Sequence, residues 1–232
     1  MEKRHHDGNL AFKPALPVTA GIENPLAALR AALPQTAPES IGRDEFSGFP
    51  EMRGTGNSEP VPAAVLIPVI AHPLSQGGPA LLFTRRTEHL SRHSGQISFP
   101  GGRREPDDLS PVETALRETR EETGIDPALI AIAGFLPRYL TGTGFDIAPV
   151  VGVIAPGFAL TPDRREVAEI FEVKLSFFLD PANLKSVRRE MAGRTRQLRV
   201  FEPEGRFIWG ITAALLLDLV ERLNAAHAMG TG

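Results

Sequence analysis

Residues 101–125 read GGRREPDDLSPVETALRETREETGI, and this stretch predicts a helix whose two ends are both marked by the sequence. Ser110 can cap the amino end, Pro111 suits the first turn, and Glu113 completes a capping box. Gly124 is the residue type that most often follows the last helical residue. We therefore expect a helix that begins at about Pro111 and ends just before Gly124.

One flank of this predicted helix is acidic. At about 100° per residue, the core side carries Val112, Ala115, Leu116, Thr119 and Thr123. Glu118, Glu121 and Glu122 share a neighbouring flank, where like charges cost roughly a few tenths of a kcal/mol per pair. A bound cation would relieve this repulsion. An ordinary solvated helix is the alternative, because Glu113–Arg117 and Arg117–Glu121 are also i, i+4 pairs.

The residues before the helix favour the cation. Phe99-Pro100-Gly101-Gly102 ends a predicted strand, and its glycines let the backbone approach the helix closely. Asp108 adds a fourth carboxylate next to the helix. Mg²⁺ prefers carboxylate oxygens and takes its remaining ligands from water and substrate phosphates. The sequence therefore predicts a divalent metal site and a substrate that is a phosphate ester or anhydride.

Strands are predicted on both sides of the acidic helix. Apolar runs indicate strands at residues 61–70, 80–86, 96–99, 130–135, 147–154 and 169–173. The first two read as a hairpin, the charged segment 185–206 reads as another, and residues 212–227 form an amphipathic helix. This order of elements predicts the α/β class, with helices on both sides of a mixed β-sheet.

The chain divides into two regions. Residues 1–60 are punctuated by Pro, Gly and Ser and predict a partly irregular N-terminal arm. This arm contains one short helix at about residues 25–33, which Asn24 can cap. Residues 61–228 are expected to form the main domain.

Composition and charge limit the classes of partner. The chain has 232 residues, 25 basic and 28 acidic side chains, one Trp and one Tyr, so we expect no nucleic acid as the main partner. No run of about 18 apolar residues predicts a membrane span, and the N-terminus has no leader pattern. We therefore expect no membrane partner, a small-molecule substrate and a cytoplasmic location. The absence of cysteine excludes disulfides, thiolate metal sites and a cysteine nucleophile.

Two motifs carry a resemblance to a known family. Gly102, Asp108, Arg117-Glu118, Glu121-Glu122, Gly124 and Ile125 resemble the Nudix box of the Nudix hydrolases, G-x5-E-x7-R-E-U-x-E-E-x-G-U. Asp108 replaces the leading Glu one residue farther from Arg117, and Thr119 stands at an aliphatic position. Upstream, LLFTRRTEHLSRHSGQISFPGG at residues 81–102 is similar to a segment of the coenzyme A pyrophosphatase branch, with Thr87 in place of a serine. An acid such as Asp108 and the extra residue are usual in that branch.

The resemblance covers roughly residues 61–225 and implies a Nudix-type α/β/α sandwich. It implies metal-dependent hydrolysis of coenzyme A (CoA) to 3′,5′-ADP and 4′-phosphopantetheine. Mg²⁺ or Mn²⁺ would be bound by Glu118, Glu121 and Glu122. Arg117 would pair with a carboxylate and hold the loop in place.

A general base is also required. It is either one of the helix glutamates that the metal does not fully engage or a carboxylate from a loop, for which Glu166 and Glu169 are the candidates. Ordinary surface charge is an equally good interpretation of both residues.

The substrate contacts are expected in the upstream segment. The candidates are Arg86, Arg92, His93, Gly95, Phe99, Gly101 and Gly102. Arginine suits the 3′-phosphate of CoA, but strand alternation points Arg85 and Arg86 to opposite faces, so at most one of them faces the site. Phe99 is suited to stack on adenine, and equally suited to the hydrophobic core.

Other functions remain open at this point. The same chemistry would suit ADP-ribose, a dinucleoside polyphosphate or an oxidised nucleotide. A non-catalytic nucleotide-sensing module is the alternative from another class, although such modules typically lose the glutamates that are present here. The resemblance also makes a homodimer an expected assembly, while no segment of the sequence indicates an interface.

Overall fold

The computed structural model describes residues 24–38, 41–44, 59–88, 95–191 and 194–230. Its helices are α1 (Pro25–Ala32), α2 (Pro111–Thr123), α3 (Leu175–Leu179) and α4 (Gly210–Gly230). Its strands are β1 (Ile41–Asp44), β2 (Val61–Ile70), β3 (Ala80–Arg86), β4 (Ile97–Ser98), β5 (Gly101–Arg103), β6 (Ile130–Phe135), β7 (Arg138–Leu140), β8 (Phe145–Ile154), β9 (Val167–Lys174), β10 (Leu184–Met191) and β11 (Arg194–Phe201).

Nine of the described strands form one mixed sheet in the order β1-β7-β8-β2-β3-β4, with β5 beside β2, β6 beside β8 and β9 beside β3. The β2–β8 pair is parallel over ten residues, and β3 pairs antiparallel with β9. Strands β10 and β11 form the predicted second hairpin as a separate two-stranded sheet. The mixed sheet confirms the predicted α/β class.

Hydrophobic side chains cover both faces of the large sheet, because alternate residues of a strand point to opposite faces. On one face Leu66 and Leu82 pack with Ala115 of α2. On the other face Phe83 packs with residues of α1, α3 and α4. The structure is therefore an α/β/α sandwich, and only the α2 face carries the acidic helix.

Helix α1 begins as the sequence predicts, with the Asn24 side chain accepting a hydrogen bond from the Ala27 amide. The segment from α1 to Gln35 lies against β6. Arg30 Nη2 donates to the Ile132 carbonyl at 3.1 Å, and Gln35 Nε2 donates to the Ala133 carbonyl at 3.0 Å. Described residues of the expected N-terminal arm thus pack on the sheet, and the bounds of the two regions stay a prediction.

Among the described residues, no helix combines the length and the hydropathy that a membrane crossing requires. The longest helix, α4, carries Asp218 and Glu221 near its middle.

Candidate active site

Local capping fixes the position of helix α2. The Ser110 hydroxyl accepts from the Glu113 amide at 3.2 Å, and the Glu113 carboxylate accepts from the Leu109 amide at 2.7 Å. Gly124 ends the helix with φ +77°, a left-handed conformation that glycine adopts without strain. Ser110 is thus the predicted cap, while Glu113 accepts from the residue before the cap and not from Ser110 itself. The helix has the predicted bounds.

The core side of α2 determines which glutamate lies deepest. Thr119 and Thr123 are buried, and their hydroxyls donate to the carbonyls one turn back, of Ala115 and Thr119, at 2.6 Å each. Glu122 immediately precedes Thr123 and is carried towards the sheet, where it is only 6% exposed. A carboxylate buried to this extent needs a partner of opposite charge or a proton.

Thr84, Arg86 and the backbone amide of Gly101 lie next to the Glu122 carboxylate. The Thr84 hydroxyl of β3 lies 3.5 Å from one oxygen, and Arg86 Nη1 lies 4.0 Å from the other. Burial raises the pKa of Glu122 to about 8; Arg86 opposes this rise, and the negative charges of Glu118 and Glu166 add to it. These electrostatic contributions indicate that Glu118, Glu122 and Glu166 share one acidic region.

Glu118 lies beside the backbone of β5. A Cβ atom at Gly102 would come within 2.5 Å of a Glu118 oxygen, so glycine leaves the space that this carboxylate occupies. Burial raises the pKa of Glu118, and the Arg117 guanidinium, 3.0 Å away, opposes this rise.

Glu121 is the most exposed of the three glutamates, and it shares Arg117 with Glu118. Its carboxylate is 58% exposed and pairs with Arg117 Nη1 at 3.2 Å, because Arg117 is one helical turn earlier. Within the described ranges, no three acidic or imidazole groups lie close enough to form a ready-made ion site. Glu118 interacts electrostatically with both Glu121 and Glu122, and the metal-ligand roles of all three glutamates stay predictions.

Arg117 connects the helix to the preceding loop. Its guanidinium donates to both oxygens of Asp108, at 3.1 and 2.9 Å, and to the Arg103 carbonyl at 2.9 Å. The Arg117 hydrogen bonds lower the pKa of Asp108 to about 2, although burial opposes this shift, and the Glu105 amide also donates to that carboxylate. This geometry agrees with the loop-holding role that the resemblance implies for Arg117.

The two candidates for the general base lie in different environments. Glu166 is half-exposed and lies 3.7 Å from Arg86 on the acidic side of the sheet. Glu169 instead pairs with Arg85 at 3.2 Å and with Arg206 at 2.9 Å. Arg206 stacks on Phe171, which belongs to the core on the face away from α2. Strand β9 thus directs Glu169 to the face away from α2, and its role as a base stays a prediction that this position does not favour.

The substrate-contact candidates also separate. Phe99 is 3% exposed and stacks on Phe83 with ring centroids 4.9 Å apart, so it belongs to the core and does not stack on adenine. Gly101 and Gly102 lie in β5 beside the acidic region, and Gly95 lies in the exposed turn before β4. Arg92 and His93 lie outside the described residues, so their substrate contacts stay predictions.

Sequence reasoning missed Thr84, whose buried hydroxyl lies against Glu122. Strand alternation was the available signal, because Leu82, Thr84 and Arg86 are two residues apart and Leu82 packs on the α2 side. It also left the role of Asp108 open, although this residue is the main partner of Arg117.

The chain is similar to known proteins of one family. The family profile described as "NUDIX domain" matches residues 63–197. A protein of Yersinia enterocolitica (serotype O:8 / biotype 1B), described as "Uncharacterized Nudix hydrolase NudL", is 36% identical over 162 residues, which are 70% of this chain and 81% of that protein. A protein of Yersinia pestis (strain Pestoides F) with the same description is 36% identical and is covered to 79%. The solved structure of a NUDIX hydrolase from Alicyclobacillus acidocaldarius is 17% identical, with a TM-score of 0.47 and with 75% of this chain and 97% of that chain covered.

Proposed function

This chain belongs to the NUDIX family and is a hydrolase of pyrophosphate-containing substrates. We propose that its substrate is CoA or an acyl-CoA. The products would be 3′,5′-ADP and 4′-phosphopantetheine or its acylated form. The main support is that the segment resembling CoA pyrophosphatases lies directly beside the glutamates of helix α2. The CoA-type segment of residues 81–102 contains Arg86 beside Glu122, and it ends at Gly102 beside Glu118.

The donor set fits a divalent cation. Glu118 and Glu122 supply carboxylate oxygens, and Gly102 leaves room around one of them. Nudix hydrolases generally use such ions, and we propose Mg²⁺ or Mn²⁺ bound by Glu118 and Glu122, with Glu121 as a further ligand. When bound, the ion would neutralise phosphate oxygens and lower the pKa of a water molecule.

The protein would contribute orientation and proton transfer. Arg117 holds the loop of Asp108 against α2 through three hydrogen bonds, which fixes the helix relative to β5. Glu166 is proposed as the base, because it is exposed to water at the acidic side of the sheet. It would take a proton from the attacking water as the water oxygen bonds to one phosphorus and the bridging P–O bond breaks.

A substrate panel tests the proposal. The purified chain is incubated with CoA, dephospho-CoA, ADP-ribose and an oxidised nucleoside triphosphate, and the products are identified by mass. We expect 3′,5′-ADP and 4′-phosphopantetheine from CoA at the highest kcat/KM. A higher kcat/KM for ADP-ribose or the oxidised nucleotide would contradict the CoA assignment, and binding without turnover of any substrate would favour a sensing module.

Metal removal tests the cofactor. Treatment with EDTA should stop turnover, and added Mg²⁺ or Mn²⁺ should restore it. Activity that persists after complete chelation would contradict the metal-dependent mechanism. The expected homodimer and cytoplasmic location stay predictions beside this proposal.

A further inference from the structure

Arg86 stands at the end of β3 between two carboxylates without a hydrogen bond to either one. Its Nη atoms lie 4.0 Å from Glu122 and 3.7 Å from Glu166, which are longer than hydrogen-bond distances. Its Nε atom is buried and has no hydrogen-bond partner among the described residues. The side chain is 29% exposed, so part of it is accessible to a ligand although the Nε atom is not.

The preceding residue has a different environment. Arg85 pairs with Glu169 at 3.2 Å, and Glu169 also binds Arg206 on the face away from α2. The pairing of β3 with β9 shifts register between Arg85 and Arg86, at the point where the two side chains separate to opposite faces. Arg86 therefore lies inside the acidic region, and the adjacent Arg85 lies outside it.

A guanidinium in this state is suited to a phosphate group. A buried donor without a partner is energetically unfavourable, and two phosphate oxygens can accept from the planar guanidinium at once. Glu122, the nearest carboxylate, is one of the proposed metal ligands. A phosphate that reaches Arg86 is therefore next to the proposed metal site, where the bond is broken.

We propose that Arg86 binds the diphosphate bridge that is cleaved and does not bind the 3′-phosphate of CoA. This inference rests on the proposed function and changes the role that the sequence suggested for Arg86. It predicts that Arg86 contributes equally to substrates with and without a 3′-phosphate. Recognition of the 3′-phosphate would then belong to other residues.

The first test compares kcat/KM for CoA and dephospho-CoA. We expect Arg86→Ala to lower both values by about 10- to 100-fold, the size expected for a lost charged hydrogen-bond pair. The matched control is Arg85→Ala, which removes the neighbouring cation on the other face and should change both values less than about twofold. A loss confined to CoA would overturn the proposal.

The conservative variant separates geometry from charge. Arg86→Lys keeps the positive charge but cannot donate two parallel hydrogen bonds, so we expect it to recover only part of the activity. Complete recovery by lysine would contradict two parallel hydrogen bonds to the diphosphate, because a single charged donor would then be enough.

A binding measurement separates substrate contact from an effect on the glutamates. Titration calorimetry gives the affinity for Mn²⁺ alone and then for methylenediphosphonate, a non-hydrolysable diphosphate, with Mn²⁺ present. For Arg86→Ala we expect diphosphonate affinity to fall by about tenfold or more, while Mn²⁺ affinity does not fall. Equal losses of both affinities would overturn the proposal.

The two proposals fail in different ways. If the wild-type chain cleaves ADP-ribose and not CoA, the CoA assignment is wrong, and Arg86 is then tested on ADP-ribose and methylenediphosphonate. If the wild type cleaves CoA and Arg86→Ala binds the diphosphonate as tightly as the wild type, only the Arg86 inference is wrong.

Discussion

At the scale of single residues, Glu122 is the group on which the proposed chemistry depends most. It is more buried than Glu118 and Glu121, and it lies beside Thr84 and Arg86. We expect Glu122→Gln to lower kcat by about 100-fold or more, because an amide is a poor ligand for a catalytic cation. Steady-state rates with CoA measure this effect.

The control for this variant is Glu113→Gln on the same helix. Glutamine can also accept from the Leu109 amide, so the helix start should be preserved and activity should stay near wild type. Glutamine has the volume of Glu122 and can accept from Thr84, so both variants should unfold within a few degrees of the wild type. Full activity of Glu122→Gln would contradict its assignment as a metal ligand.

Asp108 allows a prediction about acid stability. Its pKa is about 2 in the folded protein, mainly because of hydrogen bonds from Arg117, and lies near 4 in an unfolded chain. A carboxyl with a lowered pKa stabilises the fold above about pH 4, and this contribution is lost as the pH falls towards 2. For this buried side chain the contribution is about 1–2 kcal/mol.

Urea unfolding at pH 6 and pH 3 measures that contribution. Asp108→Asn should be less stable than the wild type at pH 6, and the difference should narrow at pH 3. Asp107→Asn, which removes the adjacent exposed carboxylate, is the control. A difference between Asp108→Asn and wild type that does not change with pH would contradict the assigned ion pair.

Some of these residue roles could be predicted from the sequence and others could not. The spacing of Glu118 and Glu122 on one helix is local information, and alternation correctly separated Arg85 from Arg86. The position of Glu169 depends on which face of β9 packs against the core, which its pairing with β3 determines. Phe99 was ambiguous, because an aromatic ring suits both adenine and the core.

At the scale of elements, the approach of β5 to α2 determines where Glu118 lies. Gly102→Ala would place a methyl group within 2.5 Å of the Glu118 carboxylate, at the far end of a flexible side chain. We expect the carboxylate to move, with a loss in kcat of about 10- to 100-fold and little change in unfolding temperature. Activity assays and thermal unfolding measure the two effects.

Gly101→Ala provides the contrast. Its Cβ would lie 2.4 Å from the Ala64 carbonyl oxygen, which is backbone and cannot move aside easily. This variant should be destabilised by about 1–3 kcal/mol. Equal losses of stability in Gly102→Ala and Gly101→Ala would contradict the view that Gly102 mainly positions Glu118 while Gly101 mainly supports the fold.

Elements with local signals were predicted closely, and elements defined by distant partners were not. Helix α2 has its cap, first-turn proline and terminal glycine within residues 110–124. Strand β5 exists because residues 101–103 pair with Ala63, Ala64 and Val65, whereas the sequence predicted only the end of the preceding strand there. A strand of three residues is too short to show a periodic pattern, and its partner strand lies tens of residues away in the sequence.

At the scale of the whole molecule, helix α1 contributes to the core although it lies in the expected N-terminal arm. Leu29 is 2% exposed and belongs to the cluster that includes residues of α4. We expect Leu29→Ala to lower the free energy of unfolding by about 2–5 kcal/mol. Leu74→Ala, at a side chain that is 45% exposed, should cost less than about 0.5 kcal/mol. Equal small losses would mean that α1 adds little to the fold.

The contacts of Arg30 and Gln35 with β6 bear on how this protein avoids aggregation. Among the described residues β6 pairs only with β8, and an open strand edge invites pairing with another molecule. Arg30 and Gln35 occupy carbonyl groups of that strand, and the Pro34 carbonyl accepts from the Phe135 amide. We expect Arg30→Ala combined with Gln35→Ala to scatter more light on heating than Gln76→Ala combined with Arg164→Ala. Equal scattering would contradict this protection. If the double variant scatters more light, this segment, which lies outside the catalytic site, protects the edge of β6 from pairing with strands of other molecules.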